Sequence, residues 1–111
     1  MKIDKQDTCT ILADDKGDYA SFATHLERVI PKNFEADHLI IDLSAENDLE
    51  LEQLLALLKL STYHRSSGHS FVIVNTAIDI DDIPDEMIVV PTLQEAKDIL
   101  EMEAIERDLG F

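Results

Sequence analysis

The chain's 111 residues make one ordinary domain, and an apolar fraction of 45% suffices for a core that needs neither a disulfide nor a metal. Intrinsic disorder is thereby excluded as the main reading. The 24 acidic residues against 9 basic ones give a formal net charge of -15, which repels phosphate backbones and anionic lipid and argues against nucleic-acid and membrane-surface partners.

From Met1 to Ala13 the pattern predicts two short strands joined near Gln6-Asp7. Asp14-Asp15-Lys16-Gly17-Asp18 reads as a turn. Tyr19, Phe22, Leu26, Val29 and Ile30 then recur on one face of a helix that Pro31 is expected to end. Leu39-Ile40-Ile41-Asp42-Leu43 is a nearly continuous apolar run, the mark of a strand covered on both faces. Asn47 is the expected cap of a second helix running to about Arg65 and closed by Gly68. Its seven leucines between Leu49 and Leu60 exceed one buried stripe. Phe71-Val72-Ile73-Val74 and Met87-Ile88-Val89-Val90 are two more buried strands, separated by an acidic, proline-limited stretch from Asp79 to Glu86 with room for a short helix. Thr92-Leu93-Gln94-Glu95 forms a capping box at the mouth of a last helix, whose inner face is predicted as Leu93, Ala96, Ile99, Leu100, Glu103 or Ala104, and Ile105. The order β-β-α-β-α-β-(short α)-β-α predicts one α/β domain over residues 1–111.

Few residues carry the signature of a chemistry. Gly17, Gly68 and Gly110 lie far apart, so no phosphate-cradling loop is present. His25, His38, His64 and His69 lack a zinc-binding spacing and read as surface or boundary residues. Cys9 has no mate in the chain and no local base, so it reads as a partly buried strand thiol in a reducing compartment. The N-terminal segment lacks a secretory apolar run, and no stretch approaches the ~18 apolar residues of a membrane span. The expected location is the cytoplasm, with no cofactor and no metal. Asp14 and Asp15 at one strand end and Asp42 in another resemble the acidic cluster of two-component receiver domains, and Thr76 suits that family's hydroxyl position. That resemblance implies a phosphate-accepting Asp42. Against it, Val90 before Pro91 stands where the family places its lysine, and the span between Asp15 and Asp42 lacks room for a further strand.

A second resemblance covers nearly the whole chain in spacing. Leu39-Ile40-Ile41-Asp42-Leu43-Ser44 is similar to the central strand and "DLS" ending of STAS domains, the fold shared by bacterial anti-sigma-factor antagonists and the cytoplasmic tails of sulfate transporters. Gly68-His69-Ser70-Phe71-Val72-Ile73-Val74-Asn75 resembles the family's glycine-led strand, and Val89-Val90-Pro91-Thr92-Leu93-Gln94-Glu95-Ala96 its "PTLEEA" opening of the last helix. The resemblance implies a mixed sheet of about five strands with about four helices packed against it. It also implies a non-enzymatic regulatory module of bacterial type that binds a protein partner, such as an anti-sigma factor or a kinase-like regulator.

Phosphorylatable STAS domains carry a "DSSGLG"-like segment at the start of the second helix. Here the segment is Glu50-Leu51-Glu52-Gln53-Leu54-Leu55: the acid and the leucine are kept, and Glu52 takes the acceptor position. A serine/threonine kinase cannot esterify that carboxylate, so the family's switch is expected to be lost, leaving a single charge in a favourable first-turn position. Glu50, Glu52 and Gln53, with Leu57 and Leu60 expected on an exposed flank, make the candidate partner surface. The competing roles are a receiver using Asp42 and a structural subunit of a homodimer or larger complex.

Overall fold

The structure is a computed structural model and describes residues 1–110. Its centre is a five-stranded sheet in the order β1-β2-β3-β4-β5. The strands are β1 (Lys2–Lys5), β2 (Thr10–Ala13), β3 (Leu39–Asp42), β4 (Phe71–Val74) and β5 (Ile88–Val90). The first two form an antiparallel hairpin, closed at Gln6 by a bond from its N–H to the Cys9 carbonyl of 2.8 Å. All later pairs are parallel, with Ile11, Ile40, Val72 and Ile88 in one row and Leu12, Ile41, Ile73 and Val89 in the next. Because side chains alternate across a strand, these rows face opposite sides. Both sides are covered, which explains the continuous apolar runs.

The Leu12 row packs under α1 (Tyr19–Asn33), α2 (Leu51–Leu55) and α3 (Leu58–Ser66). The Ile11 row packs under α4 (Leu93–Asp108), through Ala96 and Leu100. The mixed five-stranded α/β sheet is as expected, whereas the helices differ in three respects.

Helix α1 runs through Pro31 instead of ending there. The bond that proline cannot donate falls on the carbonyl of exposed Glu27, where water can substitute, and the helix still closes with Phe34 N–H on Ile30 O at 3.0 Å. That extra turn carries Phe34 into the core. The second predicted helix starts later and is broken. Glu50, not Asn47, is its cap, and α2 gives way to α3 at Ala56-Leu57. The short helix predicted between β4 and β5 forms only a single 3-10 turn over Ile80–Asp82, in an otherwise exposed acidic loop.

The break accommodates the surplus of leucines. Leu57, Leu60, Ser61 and His64 are all buried and follow an i, i+3, i+4, i+7 pattern in phase with buried Leu54, whereas Leu51 and Leu55 of α2 stand on another face and are half-buried. A continuous helix could not turn all of these leucines inward. The exposed flank expected at Leu57 and Leu60 is therefore corrected: Leu57 is 0% and Leu60 8% exposed. Leu60 reaches the surface only as part of a shallow groove of ≈ 390 Å³ that it lines with Glu27, Pro31, Ala56, Lys59 and Tyr63.

Candidate functional site at the β3–α2 junction

Parallel α/β sheets present their ligand-facing loops at the carboxyl ends of the strands. Here that end is acidic and firmly tied. After β3 the chain turns through Ser44–Asn47, with Asp42 Oδ1 accepting from Ser44 N–H at 3.0 Å. The buried amide of Asn75, just past β4, holds the turn from below. Its Nδ2 donates to Leu43 O at 2.9 Å and to Glu46 O at 3.1 Å, while its Oδ1 accepts from Ala77 N–H at 2.8 Å. Leu49 is buried and anchors the segment to the core.

Gln53 Oε1 then accepts from Glu50 N–H at 2.9 Å, the half of a capping box that satisfies the cap residue's own amide. From the other side Tyr19 Oη donates to Gln53 O at 2.9 Å. Burial, with the Glu46 carboxylate nearby, pushes the Tyr19 phenol up to about 12, so it remains a donor throughout the physiological range. Glu50, Glu52 and Gln53 are exposed on this braced first turn. A depression of ≈ 230 Å³ beside them is lined by Tyr19, Glu46, Asn47, Asp48 and Gln53 among others.

The other acids near the strand ends are engaged locally. Asp14 accepts from the amides of Lys16 at 3.0 Å and Asp18 at 2.7 Å, shaping the turn before α1. Asp15 pairs with the Met1 amino group at 2.9 Å, and that bond holds its carboxyl below the usual range. Asp18 caps α1, accepting from Ser21 N–H at 3.2 Å. Thr76 is exposed. Among the described residues no group of three or more His, Cys, Asp or Glu is arranged to hold a metal ion.

The opposite end of the sheet gathers residues that the spacing of the sequence did not connect. His38 and His69 rings lie 5.3 Å apart, and His64 lies 5.7 Å from His69 and 5.8 Å from Phe71. His64, expected as a surface or boundary residue, is buried: its Nε2–H donates to Asp37 O at 2.7 Å. His38 Nδ1 accepts from Ser70 N–H at 3.0 Å. The Nδ1 of His69 is buried without a partner.

Beside the rings, Glu103 accepts from Arg65 Nη2 at 2.8 Å and from Ser70 Oγ at 2.6 Å, and Arg107 donates to the same hydroxyl at 3.3 Å. Burial raises the Glu103 carboxyl, but these bonds and the charges of Arg65 and Arg107 outweigh it and hold the group below its ordinary value. Burial, the Arg107 charge and the neighbouring rings press His38 down, and burial does the same to His64 against the pull of its bond to Asp37. A groove of ≈ 600 Å³ opens next to this cluster between the β1–β2 turn and α4, with Cys9 among its lining residues. Burial pushes the Cys9 thiol up, which suits an inert side chain rather than a nucleophile.

The α3 spacing from Leu57 carried a signal for buried His64, since it stands two turns below that leucine on the same face. Nothing local in the sequence signals Asn75, whose partners lie about thirty residues away in the chain. No protein-family model matches this chain, and no curated protein matches it. No helix among the described residues is long and apolar enough to cross a membrane.

Proposed function

We propose that the chain is a non-enzymatic, cytosolic protein-interaction module resembling STAS domains, with its partner surface on the first turn of α2. The observation that carries this reading is the braced presentation of Glu50, Glu52 and Gln53. Asn75 and Tyr19 hold the segment from outside, and Gln53 Oε1 closes the turn onto Glu50 N–H. Rigid backbone under exposed charge favours recognition of a partner, because little ordering entropy remains to be lost on binding. An antiparallel hairpin before the first crossover helix also agrees with the STAS resemblance and departs from an all-parallel receiver sheet.

Glu52 then stands where phosphorylatable relatives carry a hydroxyl, and supplies a permanent charge about half that of a phosphoryl group. The partner, an anti-sigma-factor-like or kinase-like regulator, meets one fixed state instead of two. The commitment of Asp14 and Asp42 to local backbone amides disfavours the phosphate-accepting alternative.

Affinity capture from the source cells with wild-type protein and the Glu52→Lys variant tests the proposal. Wild type should recover a regulator whose yield falls about tenfold with the exposed-charge variant, at unchanged thermal stability. Equal recovery by both proteins, or an acid-labile phosphate on Asp42 after treatment with acetyl phosphate and magnesium, overturns it.

A further inference from the structure

Helix α4 has two apolar faces, and the sheet uses only one. Ala96 and Leu100 are buried, with Leu93, Ile99, Glu103 and Arg107 half-buried around them. Ala96, Leu100 and Glu103, at i, i+4 and i+7, set the helix's rotation, with Glu103 meeting Arg65 and Ser70 on the sheet side. Ile105, two residues further on, is thereby turned outward, against its expected place on the inner face. It lies 53% exposed, in line with Met102 at 57% and Leu109 at 66%. The three are spaced i, i+3, i+7 and span about 10 Å of helix. They make up half of the large hydrophobic side chains exposed among the described residues, the others being Ile3, Tyr63 and Ile80.

The surroundings of this stripe are of one sign. Glu95, Asp98, Glu101, Glu106 and Asp108 are exposed on α4, whereas its two cations, Lys97 and Arg107, are half-buried and line the groove on the β1–β2 side. From these positions we infer that the outer face of α4 is a docking surface for a basic amphipathic helix of a partner protein, with apolar anchors on Met102, Ile105 and Leu109 and lysines or arginines on the flanking acids. A second copy of the chain fits poorly, since it would set acid against acid between two molecules that each carry a net charge of -15. An anionic membrane surface is repelled for the same reason. The surface is separate from the first turn of α2, which belongs to the opposite face of the sheet.

The probe is a labelled synthetic peptide of about five helical turns, built from leucine and lysine with leucines at i, i+3, i+4, i+7. Its controls are a scrambled peptide of the same composition and a patterned peptide with glutamate for lysine. The full chain should bind the patterned basic peptide at least about tenfold tighter than either control. The double variant Ile105→Gln/Leu109→Gln should lose about that factor, the triple variant Glu95→Gln/Asp98→Gln/Glu106→Gln should flatten the salt dependence, and Glu52→Lys should change nothing. Amide chemical shifts should move along residues 98–109.

Equal binding of the scrambled peptide reduces the effect to general charge attraction and overturns the inference. So do shifts confined to the start of α2, loss of binding in Glu52→Lys, or a wild-type dimer in light scattering that Ile105→Gln/Leu109→Gln dissociates. Because the Glu52 variant and the α4 variants are read separately, failure here leaves the proposal for α2 standing, and the reverse holds too.

Discussion

Replacing Asn75 by alanine removes three hydrogen bonds at once: two donated to Leu43 O and Glu46 O, and one accepted from Ala77 N–H. An intramolecular hydrogen bond contributes about 1 kcal/mol net, and a buried acceptor left unpaired costs about 1–3 kcal/mol more. The loss expected for Asn75→Ala is therefore about 4–6 kcal/mol. This is a large share of the roughly 5–15 kcal/mol that stabilise a typical domain. Urea denaturation followed by circular dichroism measures it. Hydrogen exchange adds the local readout: amides of residues 46–53 should exchange faster in the variant, because the turn before α2 has lost its support from β4. Asn75→Asp separates the two roles of the amide. It keeps the acceptor for Ala77 but sets a carboxylate against two carbonyl oxygens, so its damage should at least equal that of alanine. A loss below about 1 kcal/mol in Asn75→Ala, or unchanged exchange over the turn, would refute the view that this side chain braces the candidate surface.

Leu57→Ala should cost about 2–5 kcal/mol by opening a cavity under α3, with an unchanged dependence on urea, and Leu57→Glu should leave the chain unfolded by circular dichroism. A folded, fully stable Leu57→Glu protein would contradict the burial of this leucine. The histidine cluster makes stability depend on pH. His38 and His64 are both pressed below their ordinary values, so the unfolded chain binds protons before the folded one. Their contribution is complete above the unfolded value of about 6.5 and is lost as the pH falls through it toward the folded values. Glu103, also held down, loses its contribution in the same direction at lower pH. The urea midpoint should therefore drop between about pH 8 and about pH 5, and His64→Gln, which retains a donor for Asp37 O, should show a shallower drop. A flat wild-type profile, or equal slopes in both proteins, would contradict this account.

The parts of the fold legible in the sequence are those where burial alone decides. Leu39–Asp42 and Phe71–Val74 are apolar on alternate residues of both parities because α1, α2 and α3 cover one side and α4 the other. The Thr92 cap of α4 is equally local, its hydroxyl accepting from Glu95 N–H at 3.1 Å. What escaped is non-local. Pro31 punctuates a helix only if nothing beyond it is worth burying, and Phe34 is. Asn47 is a better cap than Glu50 by composition, yet Asn75 and buried Leu49 hold the chain in successive turns until Glu50.

The same reason governs the candidate surfaces. Hydrophobic periodicity along one unbroken second helix exposes Leu57 and Leu60, and along α4 it suggests a face wide enough to take in Ile105. In both helices polar residues share the narrower buried face with the apolar ones. His64 meets the Asp37 carbonyl and packs edge to face with the Phe71 ring, and Glu103 meets Arg65 and the Ser70 hydroxyl that Arg107 also bonds. A charge-assisted bond to a half-buried carboxylate contributes about 1.5–3 kcal/mol, comparable to burying one Leu or Ile side chain. One network of this kind can thus hold a polar residue at a core-facing position. Ile105 falls on the other side of α4 from Ala96, and with Met102 and Leu109 it forms the apolar line facing solvent. The outward stripe and the inward carboxylate are consequently two results of a single rotation. Glu103→Leu, which sets an apolar group on the same inward face as Ala96 and Leu100, should keep that rotation and the affinity of α4 for a basic amphipathic peptide, while the loss of the carboxylate that holds Arg65 and Ser70 lowers the urea midpoint.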